Sequence, residues 1–172
     1  MKNLKFFLLA MAGCCALACD SDDDSNNNSD VAGTYNLTAF NAPMSVDFDG
    51  NGTSSSNIMN ESNCYANSKL VLNSDGSYTL TDNSVNISGT TSNCGSQTTT
   101  GTWSRSGNTF TMNSGVGTNI VTTNYNYVKA SGTNGATMTR TTTNGMYPSL
   151  NASGNPQWSI GTTNMVYTRS SN

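Results

Sequence analysis

Histidine is absent from this 172-residue chain, and charged side chains make up only 10% of it. The first absence removes the usual general base near neutral pH and the commonest zinc ligand. The apolar stretch at residues 6–17 is 12 residues long, short of the ~20 a helix needs to cross a bilayer. Basic residues number 7 against 10 acidic ones, and the excess lies in the first 30 residues. From Val31 onward there are five of each: Lys69, Arg105, Lys129, Arg140 and Arg169 against Asp47, Asp49, Glu61, Asp75 and Asp82. A neutral domain without a basic cluster argues against nucleic acid or an anionic membrane surface as a partner. No Gly-rich phosphate loop and no nucleophile–base set is present, and Asp75 and Asp82 read as falling at or near turns. The chain therefore reads as a non-enzyme.

What is abundant is Ser, Thr and Asn, together about 44% of the chain. Thr favours strands, whereas Asn and Ser favour turns, and short runs with period-two alternation recur from Val31 on. Tyr35, Leu37 and Ala39 share one face of a first strand. Leu70 and Leu72, then Tyr78 and Leu80, flank Asn73-Ser74-Asp75-Gly76, a hairpin turn in which Gly76 takes the left-handed position. A two-residue loop at Ser106-Gly107 puts Trp103 directly across from Phe110. Val121, Thr123, Tyr125 and Tyr127 share a face of another strand, Gly132-Thr133-Asn134-Gly135 turns the chain, and Ala136 and Met138 continue on the return. Trp158 and Ile160, then Met165 and Tyr167, form a closing hairpin through Gly161-Thr162-Thr163-Asn164. Residues 54–64 are expected to hold a short helix with Ile58 and Met59 packed inward, on the strength of the helix formers Met59 and Glu61. Such regular strand spacing predicts an all-β sandwich or an up-and-down barrel.

The first 30 residues differ in kind. Lys2 and Lys5 precede the apolar run, and small residues lead into Cys19 (Ala16-Leu17-Ala18-Cys19), followed at once by Asp20-Ser21-Asp22-Asp23-Asp24. This resembles a bacterial lipoprotein export signal. The resemblance implies cleavage after residue 18 and a lipid on the Cys19 sulfur. Met11-Ala12-Gly13-Cys14 is a competing site with a shorter apolar run; Cys19 is favoured because the acidic run begins directly after it. Two or more acyl chains hold a protein stably on a bilayer. The acidic cluster resembles the signal that sends lipoproteins of the Bacteroidota to the outer face of the outer membrane, which makes the cell surface the expected location. Residues 20–30 contain no apolar side chain and read as a disordered tether. The organisation expected is thus a signal peptide at 1–18, a lipidated cysteine and tether at 19–30, and one domain at 31–172.

With Cys14, Cys15 and Cys19 assigned to leader and anchor, Cys64 and Cys94 remain as an even pair in an oxidising compartment, and a disulfide between them is expected.

The order Gly33-Thr34-Tyr35, Asp47-Phe48-Asp49-Gly50-Asn51-Gly52, Asn63-Cys64, Leu70-Val71-Leu72 with Asp75-Gly76, Cys94-Gly95 and Gly101-Thr102-Trp103-Ser104 resembles the lipocalin-like lipoproteins of the Bacteroidota. The likeness runs over roughly residues 31–169. It implies a small antiparallel up-and-down β-barrel, with a space inside for a hydrophobic or amphipathic small molecule. Tyr35 stands where that family more often has Trp.

Two candidate sites follow. Asp47, Asp49 and Asn51, with Gly52 after them, place oxygen donors at alternate positions before a sharp turn, as in the start of a Ca2+ loop. The twelfth position is Ile58 rather than an acid, and Glu61 lies three residues beyond. The competing reading is an Asp/Asn/Gly turn bonded to its own backbone. The aromatics Tyr35, Trp103, Phe110, Tyr125, Tyr127 and Trp158 either line a ligand cavity or fill the barrel as core. The function expected is a membrane-anchored binding module for a small hydrophobic or amphipathic ligand. The alternative is a surface protein with a filled core that contacts another protein or a glycan.

Overall fold

The computed structural model describes residues 28–131 and 135–170. Cys14, Cys19 and the acidic run lie outside the described residues, as does most of the turn predicted at residues 132–135. The chain forms a short helix α1 (Asn28–Val31), then β1 (Gly33–Val46), β2 (Ser55–Asn57), β3 (Lys69–Leu72), β4 (Ser77–Ser88), β5 (Thr91–Ser106), β6 (Thr109–Val116), β7 (Asn119–Val128), β8 (Thr137–Leu150) and β9 (Pro156–Arg169). β1 pairs with β3 through its first residues and with β2 through its last, and its other edge pairs with β9. Every pairing is antiparallel and joins sheet neighbours, so eight strands close an up-and-down barrel, the architecture expected. The last residues read as tether are structured: Asn28–Val31 is helical, Val31 is buried, and Arg169 Nη1 donates to the Asp30 carbonyl at 2.7 Å.

The abundance of Thr and Asn is explained by the outer wall. Cross-strand neighbours there are hydrogen-bonded side chains: Thr111 to Asn124, Thr122 to Asn113 and Thr141 to Asn164, at 2.6–3.1 Å. A barrel meant to face lipid would carry an apolar band outside; this one carries polar ladders.

Inside, alternation does the opposite. At the α1 end Trp103 and Phe110 stack with centroids 5.4 Å apart, and Phe110 meets Tyr127 at 5.3 Å. The Arg105 guanidinium covers both rings, 5.6 and 5.2 Å from their centroids, a favourable cation–π arrangement. The Tyr35 hydroxyl donates to the Val31 carbonyl at 2.8 Å, tying α1 over this end. Gly101 makes the packing possible: a Cβ there would run into the Asn113 carbonyl and stand 2.8 Å from the Tyr78 ring.

Four local expectations are corrected. The β5–β6 loop is Gly107-Asn108, one residue later than expected, so Trp103 pairs with Met112 and reaches Phe110 diagonally. In β1 the register shifts between Leu37 and Ala39, so Phe40 and Ala42 turn inward in place of Ala39. No hairpin forms at residues 161–164. β9 runs through them, and the chain turns at residues 151–155, where Asn151 Oδ1 accepts from Ser153 and Asn155 N–H and Gly154 has φ +76°. Residues 54–64 hold β2 and two 3-10 turns rather than one helix, Ile58–Asn60 and Asn63–Tyr65; Ile58 is fully buried and Met59 partly so. The expected hairpin at residues 73–76 is present, with Gly76 at φ +85°.

Candidate functional site

Residues 47–68 leave the barrel between β1 and β3 and fold back against it. The Tyr65 ring sits edge-on to Phe40 at 5.1 Å, and a disulfide joins Cys64 to Cys94 on β5. The expected cysteine pairing is therefore present. This segment fills the β1–β3 side of the barrel at the end away from α1.

The opposite side of that end is not filled. Strand parity places Tyr78, Leu80 and Asp82 of β4 on the inner face, with Thr99 of β5, Met112 of β6, Thr123 and Tyr125 of β7, and Arg140 of β8. Together with Gln97, Ser114 and Val121 at the mouth, they enclose a cavity of about 170 Å³. At ~30 Å³ per water this holds about six waters or a ligand of similar bulk.

Asp82 and Arg140 dominate its electrostatics. Asp82 Oδ1 and Arg140 Nε are both buried with no hydrogen-bond partner. The Arg140 Nη2 group donates to the Met165 sulfur at 2.7 Å, a weak acceptor for a guanidinium. Burial raises the Asp82 pKa above the carboxylate norm, and the nearby Arg140 charge offsets this only in part. Burial likewise raises the Tyr125 and Tyr167 hydroxyls. Asp82 is thus not at a turn, as its neighbours in sequence suggested. It lies mid-strand and points inward, while Asp75 does sit in a turn and accepts from Ser77 N–H at 2.8 Å.

The barrel wall is split beside this cavity. β7 and β8 pair only at Asn126–Thr139, Tyr127–Met138 and Val128–Thr137. Beyond them β7 stays with β6 and β8 with β9. Thr122, Asn124, Thr141 and Thr142 border the resulting groove, and Thr123 and Arg140 line both groove and cavity. The groove thus reaches Arg140 from the side.

Of the six aromatics expected to line a ligand site, Tyr125 does so. Tyr35, Trp103, Phe110 and Tyr127 are buried in the packed core at the α1 end, and Trp158 is half-buried on the β8–β9 hairpin. Burial pushes the Tyr35 pKa up to about 12. A wider hollow at the α1 end lies against Asp30, Lys129 and Arg169. There the Arg169 guanidinium is already engaged by the Asp30 and Ala32 carbonyls.

The acidic loop stands apart from the cavity. Carboxylate oxygens of Asp47, Asp49 and Glu61 lie within 4.8 Å of one another, so Glu61 folds back to the place the twelve-residue spacing left to Ile58. Asp47 Oδ2 accepts from Gly52 N–H at 2.9 Å, Asp49 accepts from Asn51, and Asn51 Oδ1 accepts from Thr53 N–H. Asp47 Oδ1 is buried without a partner. Three convergent carboxylates with one orphaned oxygen suit a hard cation such as Ca2+. The same hydrogen bonds also make a self-contained Asx turn.

Comparison of the chain with protein-family models, with curated proteins and with solved structures finds no match.

Proposed function

We propose that this chain is a lipid-anchored, non-catalytic binding module at the outer face of an outer membrane, and that its barrel holds a small amphipathic molecule. The lipocalin-like lipoproteins that its motifs resemble fit this reading. The observation that carries it is the cavity of about 170 Å³ beside the β7–β8 groove. Small barrels usually fill with side chains, and this one leaves part of the end away from α1 unfilled. Its walls combine aliphatic and aromatic surface (Leu80, Met112, Tyr125) with a carboxylate and a guanidinium, which suits an amphipathic guest better than a purely hydrocarbon one. The cavity is smaller than the ~300–1,000 Å³ usual for drug-sized ligands, so the guest is compact. The disulfide is consistent with an exported protein.

The test is mass spectrometry of small molecules released by denaturing protein purified from its native membrane, followed by titration of each compound back onto the protein. A co-purifying compound that rebinds saturably is the expected result. Absence of any saturable ligand overturns the proposal.

A second reading, contact with another surface protein or a glycan, is favoured by exposed apolar side chains at the end away from α1. Met146 and Ile160 form an exposed cross-strand pair there, and Val116 and Ile120 flank the β6–β7 turn.

A further inference from the structure

We infer that the barrel cavity takes a compact zwitterion the size of a free amino acid, with its carboxylate on Arg140 and its ammonium on Asp82. This rests on the binding-module reading and adds the chemical class of the guest.

Asp82 and Arg140 line one cavity, and one atom of each, Asp82 Oδ1 and Arg140 Nε, is buried with no hydrogen-bond partner among the described residues. A buried polar atom left unpaired is costly, and a charged one more so. The two do not satisfy each other, although each feels the other's charge. A hydrocarbon guest would leave both unpaired. A guest with a single charge would pair one and leave the other in a drier site. A zwitterion pairs both and keeps the cavity neutral.

Size points the same way, since room for about six waters matches an amino acid and excludes a long acyl chain. The remaining walls divide the guest's contacts. Leu80 and Met112 offer an apolar face for a side chain, while Thr99, Ser114 and Thr123 offer hydroxyls beside the charged pair. Arg140 also borders the β7–β8 groove, so an incoming carboxylate meets the guanidinium first. Bidentate geometry is what guanidinium groups offer carboxylates; the competitors for those donors are the Met165 sulfur, a weak acceptor, and the neutral Tyr125 hydroxyl.

The experiment is calorimetric titration of the disulfide-bonded domain with the standard L-amino acids. For whichever binds best, the carboxylic acid lacking the amine and the amine lacking the carboxylate follow, with palmitate and a hydrophobic dye as apolar probes. At least one amino acid is expected to saturate the protein at one equivalent, with each one-charge analogue weaker by about tenfold or more. Arg140→Gln and Asp82→Asn are each expected to weaken the amino acid by a similar factor. Far-UV circular dichroism and the mass of the intact disulfide establish that both variants fold. One-charge analogues that bind as tightly as the amino acid overturn the assignment. So does saturable binding of palmitate or dye without any amino acid, although that outcome leaves the cavity as a binding site. Failure of every probe to bind removes the binding-module reading as well.

Discussion

Asp82 carries a charge that its surroundings disfavour, and that has a consequence for stability. Arg140, Tyr65, Tyr78, Tyr125 and Tyr167 are the titratable groups around it. Burial is the larger influence and raises its pKa above the ordinary 3.8; Arg140 opposes that rise without cancelling it. A carboxyl whose folded pKa is raised contributes its full stability below the unfolded pKa and loses it as pH rises through the folded one. The neutral isostere Asp82→Asn should therefore have a higher thermal midpoint than the parent at pH 7. The advantage should fade on acidification and be gone below pH 3.8, which unfolding scans from pH 3 to pH 8 would read. An equal gain at every pH would mean that the charge is not its source. Glu61 behaves differently. It is 4% exposed, and its Oε2 accepts from Phe48 N–H at 3.0 Å. Glu61→Ala strands that donor and should cost about 1–3 kcal/mol in urea unfolding, whereas Glu61→Gln keeps an acceptor and should cost less.

At the scale of elements, the hairpins differ in how plainly the sequence announces them. Asn73-Ser74-Asp75-Gly76 is legible because Asp75 and Gly76 supply local turn chemistry, a side-chain acceptor and a positive φ, with no help from the rest of the fold. Gly161-Thr162-Thr163-Asn164 carries similar letters and misleads. Its glycine answers a tertiary need, since a Cβ at Gly161 would stand 2.6 Å from the Pro43 ring, and its threonines are good strand residues. The β1 bulge is illegible locally because it arises from pairing with β9, more than a hundred residues away. The site was partly readable: Tyr78, Leu80 and Asp82 share a parity that marks Asp82 as inward. Its convergence with Arg140 needs the five strands β4 to β8 in register, which no local pattern encodes. The acidic loop was readable except for Glu61, which the fold of residues 47–68 returns to it. That segment is held by one covalent tie. Replacing Cys64 and Cys94 by Ser should cost about 3–4 kcal/mol in the chain-entropy model for a separation of 30 residues. Limited proteolysis of the double variant should cut first within residues 47–68. Cuts appearing first in β6 or β7 would place the weakest part of the barrel elsewhere. The β7–β8 split makes a separate prediction: amides of β7 and β8 that point into the gap should exchange with deuterium faster than those in the β8–β9 ladder, because fewer backbone partners protect them.

On the scale of the whole molecule, the two ends of the barrel are chemically unlike, and the chain enters at only one of them. α1, the turns at residues 73–76 and 107–108, and the ring stack of Trp103, Phe110 and Tyr127 mark the end where Asn28, the first described residue, lies. The cavity mouth, residues 47–68 and the exposed Met146–Ile160 pair belong to the other. If Cys19 carries the lipid, eight residues lie between the anchor and Asn28, and the nine chain links would reach roughly 15–18 Å as a flexible chain. The α1 end then lies next to the membrane and the cavity opens away from it, toward solutes outside. This orientation leads to a test on intact cells. Cys19→Ala should abolish partitioning with the membrane, and a Cys14→Ala/Cys19→Ala double variant separates loss of this anchor from acylation at the competing Cys14. A cysteine-reactive probe on a Met146→Cys variant of the anchored chain should be quenched by an added impermeant reagent, while a probe on a Ser106→Cys variant, near the α1 end, should be shielded by the adjacent bilayer. Equal quenching at the two positions would remove the orientation, and membrane retention of the Cys19→Ala variant would remove the anchor on which it depends.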